Sequence, residues 1–308
     1  MITVFAGGVG ASRFLQGLVQ VQDPANVTVI SNTGDDVDMF GLRVSPDTDI
    51  VIYSLAGAIN PETGWGLSGD SFAVVEQLQR FGYERWFNLG DKDLAMCIHR
   101  TRLIKKGWPM HKIVASLVRD WGLKCTILPM SNERVATQIV GPDGVIPFQD
   151  YMVRLHTEIE VNRVKFSGIR SAQPAPGVLD AIREAEAVIL APSNPFVSIG
   201  PILAVRGIRQ QLERARGKTA AISPIIAGQV VKGPAAKMME SLGHEVSALG
   251  VARLYENLVD MFVIDEQDRA LAPAIEALGL RCLVTNTMMT DDKRKAELAA
   301  DVLAALRA

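Results

Sequence analysis

Cysteine is scarce in this chain of 308 residues. The three cysteines, Cys97, Cys125 and Cys282, stand far apart, and none of them forms a C-x-x-C pair. We therefore expect neither a disulfide framework nor a zinc site, but reduced thiols in the core. The four histidines are scattered too, without His-x-x-x-His spacing or a Ser/His/Asp order, so a catalytic histidine is not expected.

Long apolar runs and an excess of charge are also missing. No stretch of about 18 apolar residues is available to cross a bilayer, and the opening MITVFAGGVGAS lacks the basic and apolar regions of a signal peptide. A net charge of -2 provides no basic field that would attract nucleic acid or an anionic membrane. We expect a cytoplasmic protein with neither of these as a partner.

Short apolar runs alternate with helical patterns at both ends of the chain. Such runs predict strands at residues 2–6, 27–31, 50–55, 187–191, 219–222, 261–264 and 281–284. Helical spacing at residues 12–21 and 291–306 places apolar side chains on one face. The alternation predicts an α/β, Rossmann-like fold whose mostly parallel sheet has helices on both faces.

The middle of the chain has a different pattern. Helices are predicted at residues 71–81, 94–106 and 109–121. The Gly-Pro-Asp-Gly turn at 141–144 predicts a hairpin between residues 134–140 and 145–154, followed by a strand at 158–166. We interpret residues 60–175, approximately, as an inserted α+β elaboration that covers the sheet edge of a single domain, 1–308.

A glycine turn follows the first predicted strand, in the segment AGGVGASR. Gly7, Gly8 and Gly10 would let the backbone approach a phosphate at the N-terminus of the next helix. The pattern is neither G-x-G-x-x-G nor a P-loop, because the third Rossmann glycine and the lysine are missing, which weakens plain NAD or ATP binding. A tight turn without a ligand is the alternative.

Acidic residues are concentrated in NTGDD and SPDTD, where with Asp38 five carboxylates fall within fifteen residues. Hard cations such as Mg²⁺ prefer oxygen ligands and combine one or two carboxylates with substrate phosphate. Asp36, Asp47 and Asp49 are therefore candidate ligands of a metal or a substrate. A solvated acidic loop is the alternative.

Three loops provide further polar candidates. In FNLGDKD, Asn88, Asp91 and Lys92 would face a cleft, although Asp91 is equally typical of a helix cap. Trp65 or Trp86 would offer a stacking surface there. Two strand-end loops carry the remaining candidates, and ordinary turn chemistry is the alternative for these: Ser193, Asn194, Ser223 and Pro224.

Taken together and in order, these motifs resemble one family along nearly the whole chain. They are AGGVGASRF, NTGDD, SPDTD, LGDKDLA, LPMSNERVATQI, FQDY, LAPSNPFVSIGPI and ISPIIAG. The set resembles the 2-phospho-L-lactate transferase family of coenzyme F-420 biosynthesis, including its phosphoenolpyruvyl-transferring bacterial form.

The resemblance implies a reaction. A guanosine diphosphate donor made from GTP would carry 2-phospholactate, phosphoenolpyruvate or 3-phosphoglycerate. The hydroxyl of the deazaflavin Fo would attack the phosphate next to the acid and release GMP. Mg²⁺ would neutralise charge on the diphosphate. The resemblance also implies a homodimer.

The resemblance further implies residue roles. Donor binding would fall to the three glycines and the two strand-end loops, through Gly7, Gly8, Gly10, Ser193, Asn194, Ser223 and Pro224. Asp36 and Asp49 would be catalytic, and together with Asp47 would hold the metal. Asp49, Asn88 and Asp91 would contact Fo. Archaeal members carry lysine where this chain has Asn88.

Two other classes stay open from the residues alone. A related family shares the glycine turn and the SNP-like loop and binds nucleotide sugars as a regulator without catalysis. The aspartate clusters and LGDKDLA argue against that function. An NAD(P) dehydrogenase is disfavoured by the incomplete glycine fingerprint and by the lack of a placed general acid.

Overall fold

The computed structural model describes residues 1–215, 217–230 and 233–308. Its strands are β1 Ile2–Ala6, β2 Val27–Ser31, β3 Val37–Met39, β4 Leu42–Val44, β5 Thr126–Pro129, β6 Ala136–Gly141, β7 Gly144–Pro147, β8 Arg163–Ser167, β9 Ala187–Leu190, β10 Thr219–Ile222, β11 Ile225–Ile226, β12 Gln229–Val230, β13 Met261–Asp265 and β14 Arg281–Thr285.

The α-helices are α1 Gly8–Val21, α2 Pro46–Leu55, α3 Ala73–Gln79, α4 Asp91–Lys105, α5 Met110–Asp120, α6 Val178–Glu184, α7 Gly200–Ala204, α8 Ile208–Arg214, α9 Ala235–Ser241, α10 Ala248–Tyr255, α11 Ala272–Glu276 and α12 Asp292–Arg307. Short 3-10 helices span Pro24–Asn26 and Glu266–Leu271, and π-helices span Asp150–Arg154 and Pro195–Ile199. None of the helices in the described ranges is both long and apolar enough to cross a membrane.

The central sheet confirms the predicted fold class. Its seven strands run in the order β14-β13-β10-β9-β1-β2-β5, and every neighbouring pair is parallel. The chain leaves β1 towards β2 on one side, and later returns through β9 on the other. This reversal beside β1 is the switch point of a Rossmann-like sheet, where ligands bind beyond the carboxyl ends of the strands.

Hydrophobic cores lie on both faces of the sheet, because successive strand residues point to opposite faces. Val4 of β1 packs with α1 and α12, whereas Phe5 packs with α6 and α10. The predicted C-terminal helix is confirmed as α12, and its apolar face is buried through Leu298, Val302, Leu303 and Leu306. Helix α12 lies so close to α1 that a Cβ atom on Gly17 would overlap the backbone of Lys295.

The predicted hairpin in the middle of the chain is confirmed, with Gly141 paired to Gly144 and β8 added antiparallel to β6. Its second strand is shorter than predicted, because β7 ends at Pro147 and a π-helix begins at Asp150. One strand from the middle region, β5, is part of the central sheet, where it pairs with β2 at the edge. Part of the predicted elaboration therefore extends the central sheet by one strand.

The strand predicted at residues 50–55 is wrong, because this segment belongs to helix α2. Ser45 is the N-cap and Pro46 the first helical residue, a position where the missing proline N–H has no cost. Asp47 and Asp49 lie in the first turn of the helix, where the positive end of the helix dipole stabilises negative charge. Burial on all sides explains the uniformly apolar run that predicted a strand.

Candidate active site

A cavity of about 540 Å³ opens at the carboxyl ends of the strands, at the switch point beside β1. The turn after β1, helix α2 and the loops after β9, β10 and β14 line it, through residues 7–10, 46–53, 192–198, 223–226 and 287–290. Segments from the middle of the chain close the remaining wall. Its position is that of a ligand site in an open α/β sheet.

The glycine turn enters the cavity at the start of α1. Gly8 has a left-handed backbone, with φ of 72°, a conformation that glycine adopts without a steric penalty. Helix α1 has no side-chain cap at Gly7 and no acidic residue in its first turn. Such a helix N-terminus attracts anions through unpaired N–H groups and the helix dipole.

Glycine is required at position 10 for a reason other than the predicted close approach of the backbone to a phosphate. A Cβ atom at this position would overlap the carbonyl oxygen of Pro192, in the loop after β9. The absent side chain therefore lets α1 pack directly against that loop. Gly10 lines the cavity, but its lack of a side chain is already explained by this packing contact.

The strand-end candidates line the cavity, and they also build its loops. Ser193 donates from Oγ to the carbonyl oxygen of Gly7 at 2.8 Å, which ties the loop after β9 to the glycine turn. Asn194 accepts at Oδ1 from the N–H of Phe196 at 2.9 Å. Ser223 donates from Oγ to the carbonyl oxygen of Ile225 at 2.8 Å, beside Pro224. The three side chains stabilise the wall through bonds within it.

Two of the buried aspartates are paired with arginine. Asp49 forms an ion pair with the fully buried Arg100, which also donates to the carbonyl oxygen of Arg43 at 3.2 Å. Asp36 accepts from Ser45 Oγ at 2.8 Å and lies 3.9 Å from the Arg43 guanidinium. Asp49 lines the cavity, whereas Asp36 lies behind its wall. Burial nevertheless raises the pKa of Asp36 to about 7.

Asp35 and Asp47, from the same two acidic motifs, also line the cavity. Neither carboxylate is paired with an arginine among the described residues. Asp47 accepts from Asn32 Nδ2 at 2.8 Å and from the backbone of Gly8, yet burial raises its pKa to about 6. Burial, followed by the charge of Asp47, raises the pKa of Asp35 well above its ordinary value. Oδ1 of Asp35 is buried and has no hydrogen-bond partner among the described residues. These are two of the cavity-lining carboxylates that have no ion pair with an arginine among the described residues.

The predicted metal set of Asp36, Asp47 and Asp49 is not brought together. Asp36 lies beside Arg43, and Asp49 forms an ion pair with Arg100. No group of three or more acidic, histidine or cysteine side chains that could hold a metal occurs within the described ranges. Asp35, which was not a candidate, takes the inward position instead. The NTGDD motif contains it, but two adjacent aspartates in a sequence do not indicate which one faces a cavity.

The wall formed by the middle of the chain is aromatic and apolar, with Trp65, Phe87 and Leu89 beside Asn88. Asn88 is an exposed part of this wall, and its Oδ1 accepts from Arg85 Nε at 3.2 Å. A flat aromatic ligand would find stacking surfaces of this kind favourable.

Asp91, predicted as a contact to Fo, does not line the cavity. Its carboxylate accepts from Ser71 Oγ at 2.6 Å, from Ala73 N at 3.1 Å and from Val74 N at 3.0 Å. It thereby caps the start of α3 from a distant part of the chain, and these bonds hold its pKa below the ordinary value. The alternative that Asp91 caps the helix following it in sequence is wrong too, because Gly90 is the N-cap of α4 and Asp91 caps α3 instead.

Asp93 occupies the inward position of the same motif. It lines the cavity and is buried, which raises its pKa to about 6 even though it is hydrogen-bonded to Tyr53. Tyr53 lines the cavity too, one helical turn after Asp49 on α2. The LGDKD pattern contained this residue. Helix α4 begins at Asp91 and not at the predicted residue 94, which explains why Asp93 points inward.

Comparisons with known proteins identify the family of the chain. The family model described as 2-phospho-L-lactate transferase CofD matches residues 2–303. A phosphoenolpyruvate transferase from Streptomyces griseus is 42% identical over 308 residues, which covers 98% of this chain and 97% of the relative. A 2-phospho-L-lactate transferase from Methanothermobacter thermautotrophicus is 42% identical over 303 residues, with the same coverage.

A solved structure supports the fold alone. A UPF0052 family protein from Bacillus halodurans superposes with a TM-score of 0.63 at 16% identity, over 98% of both chains. At that level of identity the likeness concerns architecture and not activity. The sequence resemblance noted above is confirmed by the family match and by the two relatives.

Proposed function

The chain belongs to the 2-phospho-L-lactate transferase CofD family, and from that premise we propose that it acts on the deazaflavin Fo. The proposed reaction transfers a phospho-three-carbon-acid group from a guanosine diphosphate donor to a hydroxyl of Fo and releases GMP. The names of the two relatives support 2-phospholactate or phosphoenolpyruvate as the acid. We retain 3-phosphoglycerate as a third donor to be tested.

The observation that carries the proposal is a pair of buried carboxylates without an arginine partner, Asp35 and Asp47, beside the N-terminus of α1, where Gly7 provides no side-chain cap. Asp35 and Asp47 line the same cavity as the first turn of α1. A diphosphate there meets repulsion of roughly 4 kcal/mol for each pair of unit charges 4 Å apart at an effective dielectric constant of 20. A divalent cation would reverse that repulsion.

The residues present fit Mg²⁺. This ion usually binds to one or two carboxylates and to substrate phosphates, and the buried Oδ1 of Asp35 is an oxygen without a partner in the described structure. We propose that Asp35 and Asp47 hold the ion. When bound, it would supply positive charge that stabilises the diphosphate and the departing GMP.

The chain's own groups would position the two substrates. The N-terminus of α1 would bind the diphosphate through backbone N–H groups, and Asp49, fixed by Arg100, would accept a hydrogen bond from the attacking hydroxyl. The bond from that oxygen to phosphorus would form as the bond from phosphorus to the GMP oxygen breaks, and the hydroxyl proton would pass to the Asp49 carboxylate. Trp65 and Phe87 would pack against the ring system of Fo.

Product analysis tests the proposal. The protein is incubated with Fo, Mg²⁺ and donors made from GTP and each of the three acids by a guanylyltransferase. Mass spectrometry should detect the phosphodiester of Fo, and GMP should form in equal amount. Asp47→Asn should lose most of this activity, whereas Asp38→Asn should keep it, because Asp38 pairs with Arg43 and Arg134 outside the cavity.

A negative result has a defined meaning. If no donor yields product and Fo does not bind in a fluorescence titration, the transferase proposal fails. A nucleotide-sugar-binding regulator would then be the better interpretation.

A further inference from the structure

In the part of the cavity wall that the structure describes, negatively charged side chains outnumber positively charged ones. Among the described lining residues, four are carboxylates, namely Asp35, Asp47, Asp49 and Asp93, and the one cationic side chain is Arg13. A donor with a diphosphate and an acid brings several further negative charges into this space. The position of the single guanidinium therefore matters for binding.

Arg13 stands on α1, three residues after Gly10 and within the second helical turn. Side chains on an α-helix lean towards its N-terminus, so this side chain is directed back over the first turn. That turn is where the unpaired N–H groups of α1 attract an anion. The guanidinium and the helix N-terminus are thus directed at the same volume.

Within the part of the chain that the structure describes, the Arg13 guanidinium has no hydrogen-bonding or ionic partner. The residue is partly buried. Other cations near the site are engaged, since Arg100 pairs with Asp49, and Arg43 donates from Nε to Asp38 at 2.7 Å. A partly buried charge without a partner is unfavourable, and a bound anion would remove that cost.

The backbone that carries Arg13 is fixed on both sides. Gly10, one turn earlier, lets α1 pack against the Pro192 carbonyl, and Gly17, one turn later, lets α1 pack against the backbone of Lys295. The base of the side chain therefore cannot shift much when a ligand binds. A guanidinium presented from a rigid helix suits the bidentate recognition of phosphate oxygens.

We propose that Arg13 binds the diphosphate of the nucleotide donor, together with the N-terminus of α1. The inference rests on the proposed function, because it takes the ligand to be a nucleoside diphosphate. Arg13 then recognises the phosphate chain and contributes nothing to recognition of the base. It also supplies the positive charge that Asp35 and Asp47 lack on the protein itself.

Calorimetric titration with GDP, GMP and guanosine separates the phosphate contribution from the base contribution. For Arg13→Met, GDP affinity should fall about 10- to 100-fold, the range that corresponds to lost charge-assisted hydrogen bonds, while guanosine affinity stays unchanged. Arg13→Lys should retain an intermediate preference for GDP, since lysine keeps the positive charge but cannot form the two parallel hydrogen bonds of a guanidinium. Arg134→Met is the matched control, because Arg134 pairs with Asp38 away from the cavity.

The outcomes distinguish failure of the proposed donor site from failure of the proposed role of Arg13. If the wild-type protein binds GDP no better than guanosine, the proposed donor site fails, and Arg13 fails with it. If the wild-type protein prefers GDP and Arg13→Met keeps the same preference, only the role of Arg13 is overturned. Equal losses for GDP and guanosine in Arg13→Met would overturn the proposal and make Arg13 a structural residue, whereas unchanged guanosine affinity in Arg13→Met would exclude misfolding as the cause of its weaker GDP binding.

Discussion

Two adjacent aspartates in this chain have opposite environments. Asp36 accepts from Ser45 and lies beside Arg43, whereas Asp35 lines the cavity and has no arginine partner, although each keeps one buried oxygen without a hydrogen-bond partner among the described residues. Thr137 and Gln149, from the middle of the chain, donate to the backbone carbonyl oxygens of Gly34 and Asp35 and so help to hold this segment in place. Contacts across more than a hundred residues are not readable from a five-residue motif.

The two aspartates should respond differently to the same substitution. Asp35→Asn removes a proposed ligand of Mg²⁺ and should raise the Mg²⁺ concentration needed for half-maximal activity at least about tenfold, the range seen when metal sites lose supporting groups. Asp36→Asn should leave that concentration unchanged, because Asp36 faces arginine. A Mg²⁺ titration of turnover measures both. Equal shifts for the two variants would place the cation elsewhere.

Among the secondary-structure elements, the parallel strands other than β5 could be predicted, because short buried runs rich in β-branched residues and followed by glycine, serine or proline are typical of strands. Their carboxyl ends gather at one edge of a sheet, so the loops with Gly7, Ser193 and Ser223 could be expected to meet there. Helix α2 was not predicted from its apolar run. Its signals were Ser45, Pro46 and two acids in the first turn, which together are typical of a helix start.

The rest of the site depends on the faces that helices present. Asp93 and Arg13 point inward because of where α4 and α1 begin and how they pack, and helix boundaries are the least certain part of a sequence-based prediction. Strand β5 was not predicted either. Four residues are too few to show a period, and its place beside β2 is decided by the sheet.

Helix α3 offers a test at this scale, because Asp91 holds its start from the beginning of α4. Asp91→Ala frees the N–H groups of Ala73 and Val74, so the segment from Ser71 to Asn88 should exchange its amide hydrogens faster. Phe87 and Asn88 line the cavity, so we expect the KM for Fo to rise severalfold while GDP affinity stays constant.

The control for that experiment is Asp120→Ala, an exposed aspartate at the end of α5 that pairs only with its neighbour Arg119 among the described residues. Its exchange near α3 should match that of the wild type. Unchanged exchange in Asp91→Ala would mean that α3 is held by its apolar contacts alone.

For the whole molecule, the collection of buried carboxylates around one cavity has a cost in stability. The pKa of Asp36 is raised to about 7, those of Asp47 and Asp93 to about 6, and that of Asp35 also lies well above its ordinary value, in each case mainly through burial. Between about pH 4 and pH 7 the folded protein therefore holds protons that the unfolded chain has lost. The free energy of unfolding must fall as the pH rises through that window.

Metal-free protein should accordingly have a higher Tm at pH 5.5 than at pH 8. Groups whose pKa is lowered, such as Asp91 and Asp265, act below about pH 4 and do not oppose this trend. Added Mg²⁺ should raise the Tm more at pH 8, where Asp35 and Asp47 are ionised. Thermal scans with and without Mg²⁺ measure both effects, and a metal-free Tm that increases from pH 5.5 to pH 8 would contradict the prediction.

The packing of α12 against α1 also bears on how the protein is made. The cavity takes residues from Gly7 through to Thr290, and the last helix closes against the first where Gly17 meets Lys295. A chain still growing on the ribosome has no β14 and no α12 while its glycine turn is already exposed. It can neither complete the nucleotide pocket nor cover the apolar face of α1. Until α12 has been synthesised and has folded, the apolar face of α1 stays uncovered, and a nucleotide cannot stabilise the complete pocket before β14 and the loop after it are in place.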